Sequence, residues 1–388
     1  MEYLYLLPLA LWVFLAAVAC YGVYDCISTL KPPPRIDWRP DNIVLIIPVR
    51  HVPPNFFALW DAIRAQNLPP TRVIFAVEDL EDPAAAAVLS FKNGPPVELI
   101  ASGPTAARAQ KVHNLLAALD TLRPEDDVIV FADADIIPKP DWIQRLVVPL
   151  KNREIYAVSG YRWMTPSDDA WSSAVVCVAN ASVATVPRWR YWDTAWGGST
   201  ALRRDTLDAL DLPNHWKNLV LDDVPFTQAV KALGGYITSP QSLLVPSPIA
   251  WDWSTAFAFG RRQYLLARWF ATWLWLVGAA GTTIPLIGWA VALPYALAGN
   301  GFAIAAILVA NALDQVRASL RLRVSRILWN EEMPRRMALI DRFATPVSLG
   351  FHAAVVWSTL FSYSITWGGR TYRVDPRGRV LRIDVHPS

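Results

Sequence analysis

Val128-Ile129-Val130-Phe131-Ala132-Asp133-Ala134-Asp135-Ile136-Ile137-Pro138 is the stretch on which the fold turns. Its first four residues are β-branched or aromatic with no polar side chain among them, the pattern of a strand buried on both faces. Two aspartates at i and i+2 follow at once, and on extended backbone such residues point the same way. Carboxylates brought that close repel unless a cation lies between them. Hard oxygen donors suit Mg2+ or Mn2+, with substrate phosphates completing the shell. An Asx-turn leaving a strand is the plainer reading of an isolated pair. The strand before it and Pro138 after it favour a site.

Upstream, Asn42–Val49 (NIVLIIPV) and Val73–Val77 (VIFAV) are two more buried-strand runs. Helical patterns over Asn55–Gln66, Pro83–Phe91 and Arg108–Leu122 lie between them and the DxD strand. Such alternation predicts an α/β, Rossmann-like, mostly parallel sheet, in which ligands bind beyond the carboxyl ends of the strands. The residues at those ends are therefore the candidates. After the first strand come Pro48-Val49-Arg50, whose backbone groups are placed to meet a nucleotide. After the second comes the acidic loop Glu78-Asp79-Leu80-Glu81-Asp82-Pro83. There Asp82 reads as a helix cap with Pro83 in the first turn, and the loop's carboxylates also suit base and ribose donors. Lys111, on the third helix, is a surface lysine or a phosphate ligand.

Downstream, Gly197-Gly198-Ser199-Thr200-Ala201-Leu202-Arg203 would let a substrate approach the backbone. The acidic pair Asp222-Asp223 then opens a helical pattern over Phe226–Leu233. Acids at a helix start are ordinarily dipole partners. A carboxylate with a second acid alongside also has the raised proton affinity that a general base requires. Arg261, Arg262 and the pair Arg268-Trp269 stand before a long apolar run. They read either as membrane flanks or as guanidinium groups gripping a diphosphate.

The rest of the 388 residues is membrane-like: 53% of them are hydrophobic, and 19 are Trp, a residue enriched at lipid–water boundaries. Tyr3–Tyr24 is 22 residues without a charge, about 33 Å as a helix, enough for a hydrocarbon core of about 30 Å. Phe270–Leu313 is too long for one crossing and predicts two, turning near Gly299–Gly301. Phe343–Trp367 is a further apolar stretch. Four spans are expected, with a re-entrant segment at 343–367 as the alternative that keeps the basic tail inside. Lys31, Arg35 and Arg39, then Arg317, Arg321, Arg323, Arg326, Arg335, Arg336 and Arg342, point these connections to the cytoplasm. The expected divisions are an anchor (1–30), a catalytic domain (36–262), and interfacial and transmembrane helices with a basic tail (263–388). Net charge is only +3, so nothing recruits nucleic acid. Three cysteines support neither a disulfide framework nor zinc.

Taken in order, these motifs resemble the inverting family 2 glycosyltransferases of GT-A fold, especially the ceramide glucosyltransferase branch. The resemblance covers Asn42–Trp269 and the flanking membrane segments. It is carried by VEDLEDP, by Lys111-Val112-His113-Asn114, by FADADIIP, by GGSTALRR, by the acid-Asp pair, and by the tail Ile365–Arg373. It implies a UDP-sugar donor held by Glu78, Asp82 and Asp133, with a divalent cation on Asp135 bridging the diphosphate. It further implies Asp223 as the base and Arg268 with Lys111 as partners of the leaving group. The branch's (Gln/Arg)-x-x-Arg-Trp motif is incomplete, since Leu265 occupies its first position and Gln263 lies nearby. The complete DxD is the second departure, and both bear on the acceptor more than on the chemistry.

Trp163, Trp171, Trp189, Trp192, Trp196, Trp216, Trp251 and Trp253 crowd the stretch before the long apolar run. Ala170–Val186 is apolar but short for a span, and reads as an interfacial segment shaping a lipid entrance or as a core helix. A lipid acceptor follows: a sphingoid, hopanoid, sterol or glycerolipid hydroxyl. A processive polysaccharide synthase, a polyprenyl-phosphate glycosyltransferase and a non-enzymatic nucleotide-binding membrane scaffold remain the alternatives. The expected location is a plasma (inner) membrane, if the source is bacterial.

Overall fold

The computed structural model describes residues 3–188 and 192–386, so Trp189 lies outside the described residues. The chain groups into two units. One is built from Lys31–Arg162, Arg188–Ser247 and Tyr363–Ser388; the other from Met1–Leu30, Trp163–Pro187 and Pro248–Ser362. This grouping differs from the expected division in three segments. Trp163–Pro187 and residues 248–262, inside the expected 36–262 domain, belong with the helices, and the tail from Tyr363 belongs with the sheet.

The strands are β1 (Ile43–Pro48), β2 (Arg72–Val77), β3 (Val97–Ala101), β4 (Val128–Ala132), β5 (Ile155–Ser159), β6 (Tyr161–Pro166), β7 (Ser199–Arg203), β8 (Tyr236–Thr238), β9 (Leu244–Ile249), β10 (Ser364–Trp367), β11 (Arg370–Val374) and β12 (Val380–Val385). Seven form a mixed, mostly parallel sheet in the order β3-β2-β1-β4-β7-β5-β8, while β6 and β9 form a separate ribbon. The unbroken apolar runs of β1, β2 and β4 are explained by their burial: Ile43–Ile47, Val73–Val77 and Val128–Val130 are almost wholly shielded from solvent. Helices Phe56–Arg64, Pro83–Leu89 and Gln110–Leu119 follow the expected helical patterns.

β7 alone runs antiparallel to its neighbours β4 and β5. That reversal decides where the site can be. β4 leaves the sheet where β7 enters it, with Ala132 opposite Ser199 and Asp133 N donating to Gly198 O at 3.2 Å. The DxD and the Gly197-Gly198 turn are thereby held at one edge.

The tail is not a loose basic flank. β10, β11 and β12 form an antiparallel three-stranded sheet, tied to its unit by Val380 N donating to Asn218 O at 2.7 Å and by the bridge between Leu219 and Arg379.

In the helical unit, Leu6–Thr29, Thr272–Leu297 and Gly301–Trp329 are long and apolar enough to cross a membrane; among the described residues they are three. The expected fourth span is corrected. Thr345–Trp357 is a helix of 13 residues, about 20 Å, too short for a bilayer core, and the chain then turns into β10. The tail folds in one unit with Lys31–Arg162 and Arg188–Ser247, as an odd number of crossings would require and four would not. Two of the expected flanking arginines are also not free flanks. Arg321 pairs with buried Asp341 at 2.6 Å and Arg317 with Asp314 at 2.6 Å, inside the helical packing. Trp171–Ala184 is a 14-residue helix, most of it buried against Arg335–Phe343, Thr345–Trp357 and Trp253–Phe270. It is a packed helix of this unit.

Candidate active site

Lys111 stands at the centre of the polar edge. It is carried by the first turn of Gln110–Leu119, whose apolar face packs against β1 and β2. Its Nζ lies 2.9 Å from Asp133 Oδ1 and 3.2 Å from Asp222 Oδ2. Three residues far apart in sequence thus converge, each from an element that ends at the same edge. Burial works against the charge on Lys111, but Asp133 and Asp222 outweigh it and hold its pKa above the usual lysine range. Burial would likewise lift Asp133, yet Lys111 and Arg162 keep it below the usual carboxylate range.

Asp222 and Asp223 head the helix Asp223–Ala232. Trp216 donates through Nε1 to Asp222 O at 2.9 Å, fixing the backbone of the pair. A side chain at Gly197 would collide with the Asp222 carboxylate and the Lys111 ammonium, and one at Gly198 with Asp133 and the Trp196 ring. Both glycines are there because backbone passes directly against the charged cluster. Burial, then the neighbouring charge of Asp222, push Asp223 up to about 7, with Lys111 offsetting part of the rise. A carboxyl group poised there can accept a proton near neutrality.

Arg162, which the sequence did not single out, reaches Asp133 Oδ2 at 3.1 Å and Asp135 Oδ1 at 3.5 Å through one Nη2. Its guanidinium also lies over the Trp196 ring, 5.1 Å from the centroid. A cationic group is therefore already accommodated between the two DxD carboxylates. Among the described residues no group of three or more His, Cys, Asp or Glu is arranged to hold a metal. The donor set is two carboxylates, and Asp135 is well exposed. That suits Mg2+ or Mn2+ taking its remaining ligands from a diphosphate and water, not an all-protein cage.

The other expected donor-side residues are placed as follows. Pro48 ends β1 beside Ala76 of β2. Asp82 caps Pro83–Leu89 by accepting from Ala84 N at 2.8 Å, and also accepts from His51 N at 2.9 Å, so its carboxylate orders two loops. Glu78 accepts from Arg370 of the tail, whose guanidinium also donates to Gln110 Oε1 at 3.2 Å. Gln110 in turn donates to Gly103 O and Asn114 Oδ1, which locks the loop after β3. Arg268 and Trp269 belong to the helical unit, where Arg268 donates to the carbonyls of Leu360 and Ser362. Within the sheet unit, the cations beside the acids are Lys111 and Arg162. Arg162 and Gln110 carried no signal of their own in the sequence.

Comparison with known proteins adds the following. The family model described as glycosyl transferase family 21 matches residues 10–380. Curated proteins give no match. Among solved structures, a mannosyltransferase from Pyrobaculum calidifontis, in complex with GDP-Man and Mn2+, is similar at 18% identity and a TM-score of 0.55. The similarity covers 91% of this chain and 99% of that one. Glucosyl-3-phosphoglycerate synthase from Mycobacterium tuberculosis, in complex with phosphoglyceric acid, aligns at 16% identity and a TM-score of 0.38, over 60% of this chain and 84% of that one.

Proposed function

Because the chain belongs to glycosyl transferase family 21, we propose that it transfers a sugar from a UDP-sugar to a hydroxyl of a lipid acceptor, with inversion at the anomeric carbon. The observation that carries this reading is the cluster of Asp133, Lys111, Asp222 and Asp223. It stands at the carboxyl edge of the sheet, in a chain with three helices of membrane-crossing length.

Asp223 takes the proton of the acceptor hydroxyl as that oxygen attacks the anomeric carbon. The bond from that carbon to the diphosphate oxygen breaks on the opposite side. Burial and the neighbouring charge of Asp222 raise the basicity of Asp223, and Lys111 and Arg162 present positive charge where the leaving diphosphate gathers negative charge. Asp133 and Asp135 would hold Mg2+ or Mn2+, which when bound supplies further stabilisation of that leaving group. Backbone at Pro48 and the loop from Glu78 to Asp82 frame the nucleotide.

The basic residues Lys31, Arg35 and Arg39 follow the first crossing helix, and Arg335, Arg336 and Arg342 follow the third. Both sets fall on one side, which the positive-inside rule makes cytoplasmic. Arg268 and Trp269 are kept as donor-side candidates on the resemblance alone.

The test is nucleotide release by the detergent-purified chain across a panel of UDP- and GDP-sugars, with and without Mn2+ and total membrane lipid. Lipid-stimulated release of UDP from one sugar, lost in Asp223→Asn, supports the reading. Release of GDP instead replaces the donor. Release that builds polymer without lipid replaces the acceptor. The absence of nucleotide binding removes the enzyme reading altogether.

A further inference from the structure

Four carboxylates, those of Asp133, Asp135, Asp222 and Asp223, meet two protein cations, Lys111 and Arg162. The two cations divide the work unequally. Lys111 is committed to Asp133 Oδ1 and Asp222 Oδ2, so it leaves Asp135 to Arg162. Arg162 in turn spans the other oxygen of Asp133 and Oδ1 of Asp135. These are the two carboxylates whose pairing suits a divalent cation. A guanidinium in contact with both of them would stand against the ligands of any ion they held, a like-charge arrangement that one of the two has to leave. Arg162 has somewhere to go. Its contact with the face of Trp196 does not depend on the carboxylates, and Trp196 directly precedes the Gly197-Gly198 turn at the same edge. A guanidinium that lets go of Asp135 therefore stays in the site, where a diphosphate offers the bidentate partner that Arg favours.

We infer that Arg162 is a resident counter-cation of the DxD pair, so that its guanidinium and the divalent ion compete for Asp133 and Asp135. The consequence is order in loading. Ion binding is weak while Arg162 holds the carboxylates, and it strengthens when a nucleotide diphosphate gives the guanidinium a new partner. Divalent ion and nucleotide are thereby coupled, and the coupling is reciprocal. The inference rests on the proposed reading of Asp133 and Asp135 as the metal pair.

The experiment is Mn2+ titration of the full chain in detergent, with free Mn2+ read by electron paramagnetic resonance, in the absence and presence of UDP. Wild type, Arg162→Gln, Arg162→Lys and Asp135→Asn are compared, with thermal melting to establish that each is folded. Without UDP, Arg162→Gln is expected to bind Mn2+ about tenfold more tightly than wild type, the size of one charge-assisted contact. Arg162→Lys, which keeps the charge but cannot bridge two carboxylates, is expected to fall between them. With UDP the gap narrows, because wild type gains more from the nucleotide than Arg162→Gln does. Mn2+ binding that is lost in Asp135→Asn but equal or weaker in the Arg162 variants would overturn the competition while leaving the metal pair standing. Should Arg162→Gln not fold, the Arg162→Lys arm decides by the same comparison. If no variant shows Asp135-dependent binding even with UDP, the metal reading itself has failed, and the competition with it.

Discussion

Arg370 donates to the carboxylate of Glu78, 292 residues earlier in the chain. Arg370 is buried, at 5% exposure, and Glu78 is partly buried, so competition from water for this pair is reduced. It pins the edge of β11 to the residue that leaves β2. Tyr372 adds its hydroxyl near Gln110 N at 3.4 Å, so one strand of the tail is fastened to the loops around the candidate nucleotide subsite.

Removing either partner leaves a buried charge uncompensated, and a charged hydrogen bond is worth roughly 1.5–3 kcal/mol. Glu78→Gln and Arg370→Gln are therefore expected to expose the tail about tenfold more often. Limited trypsin digestion at Arg373, Arg377 and Arg379 measures it. The double exchange Glu78→Arg with Arg370→Glu should restore part of the protection. Equal digestion rates in all four proteins would mean that the pair is incidental.

With its acid limb set by Asp223, kcat/KM should rise with pH through about 7, since only the ionised carboxylate accepts the acceptor's proton. Asp222→Asn removes a neighbouring negative charge, so the limb moves to lower pH. Asp223→Asn should cost on the order of 10²–10⁴ in rate and leave no limb to shift. A limb unmoved by Asp222→Asn would assign it to another group.

Stability carries the same signature with a definite sign. The folded pKa of Asp223 is raised above its unfolded value. Its favourable contribution is thus complete at acid pH below the unfolded pKa and is lost as pH rises through the folded one. Asp223→Asn has no charge to carry, so it should melt higher than wild type at pH 8, with the difference closing toward pH 4. Parallel melting curves at both pH values would contradict the burial of this carboxyl group.

Lys111→Met takes the cation from Asp222, whose side chain is 5% exposed, and leaves Asp133, 20% exposed, with Arg162 alone. Breaking a buried pair from one side costs about 3–5 kcal/mol, less here because Asp133 is partly solvated. A loss of roughly 5 °C in melting temperature is expected. Asp222→Asn in the Lys111→Met background should return some of it, and an unchanged melting point in Lys111→Met would show that the three groups are not coupled.

Three crossings rather than four predict that a cysteine placed at His386 reacts from the same side of sealed membrane vesicles as one at Lys92, and from the side opposite one at Asn300. Membrane-impermeant maleimide reads this directly. Labelling of 386 and 300 from one side would restore a fourth span.

Much of the sheet was legible because β1, β2 and β4 are buried on both faces and so carry no polar residue to blur them. β7 was not, since Ser199-Thr200-Ala201-Leu202-Arg203 is short and half polar, and its direction comes from pairing with strands distant in sequence. Among the candidate site residues, Asp133, Asp135 and the acid pair announced themselves by spacing. Lys111 was legible as a surface lysine or a phosphate ligand, but its pairing with Asp133 and Asp222 comes from the fold. Arg162 could not be read at all, because its meaning lies in carboxylates 27 and 29 residues earlier. Hydropathy overstated the last apolar stretch: composition alone does not reveal that its helix stops at Trp357. Arg370 looked like one more basic residue of the tail because its partners Glu78 and Gln110 lie far away in the chain, whereas Arg373 and Arg382 pair with Asp384 close by.

Between the helices Thr272–Leu297 and Gly301–Trp329 the chain spends only Ala298, Gly299 and Asn300. On the proposed topology, these residues are all that the stretch from Leu6 to Val385 sets beyond the opposite leaflet. Such a link is too short to offer a binding surface there. On that topology and the proposed reaction, donor, lipid acceptor and product would share one face of the bilayer, with the sugar headgroup made in the leaflet that supplied the lipid. Any appearance of such a glycolipid on the other face would then be a separate transport event, with its own energy source and its own kinetics.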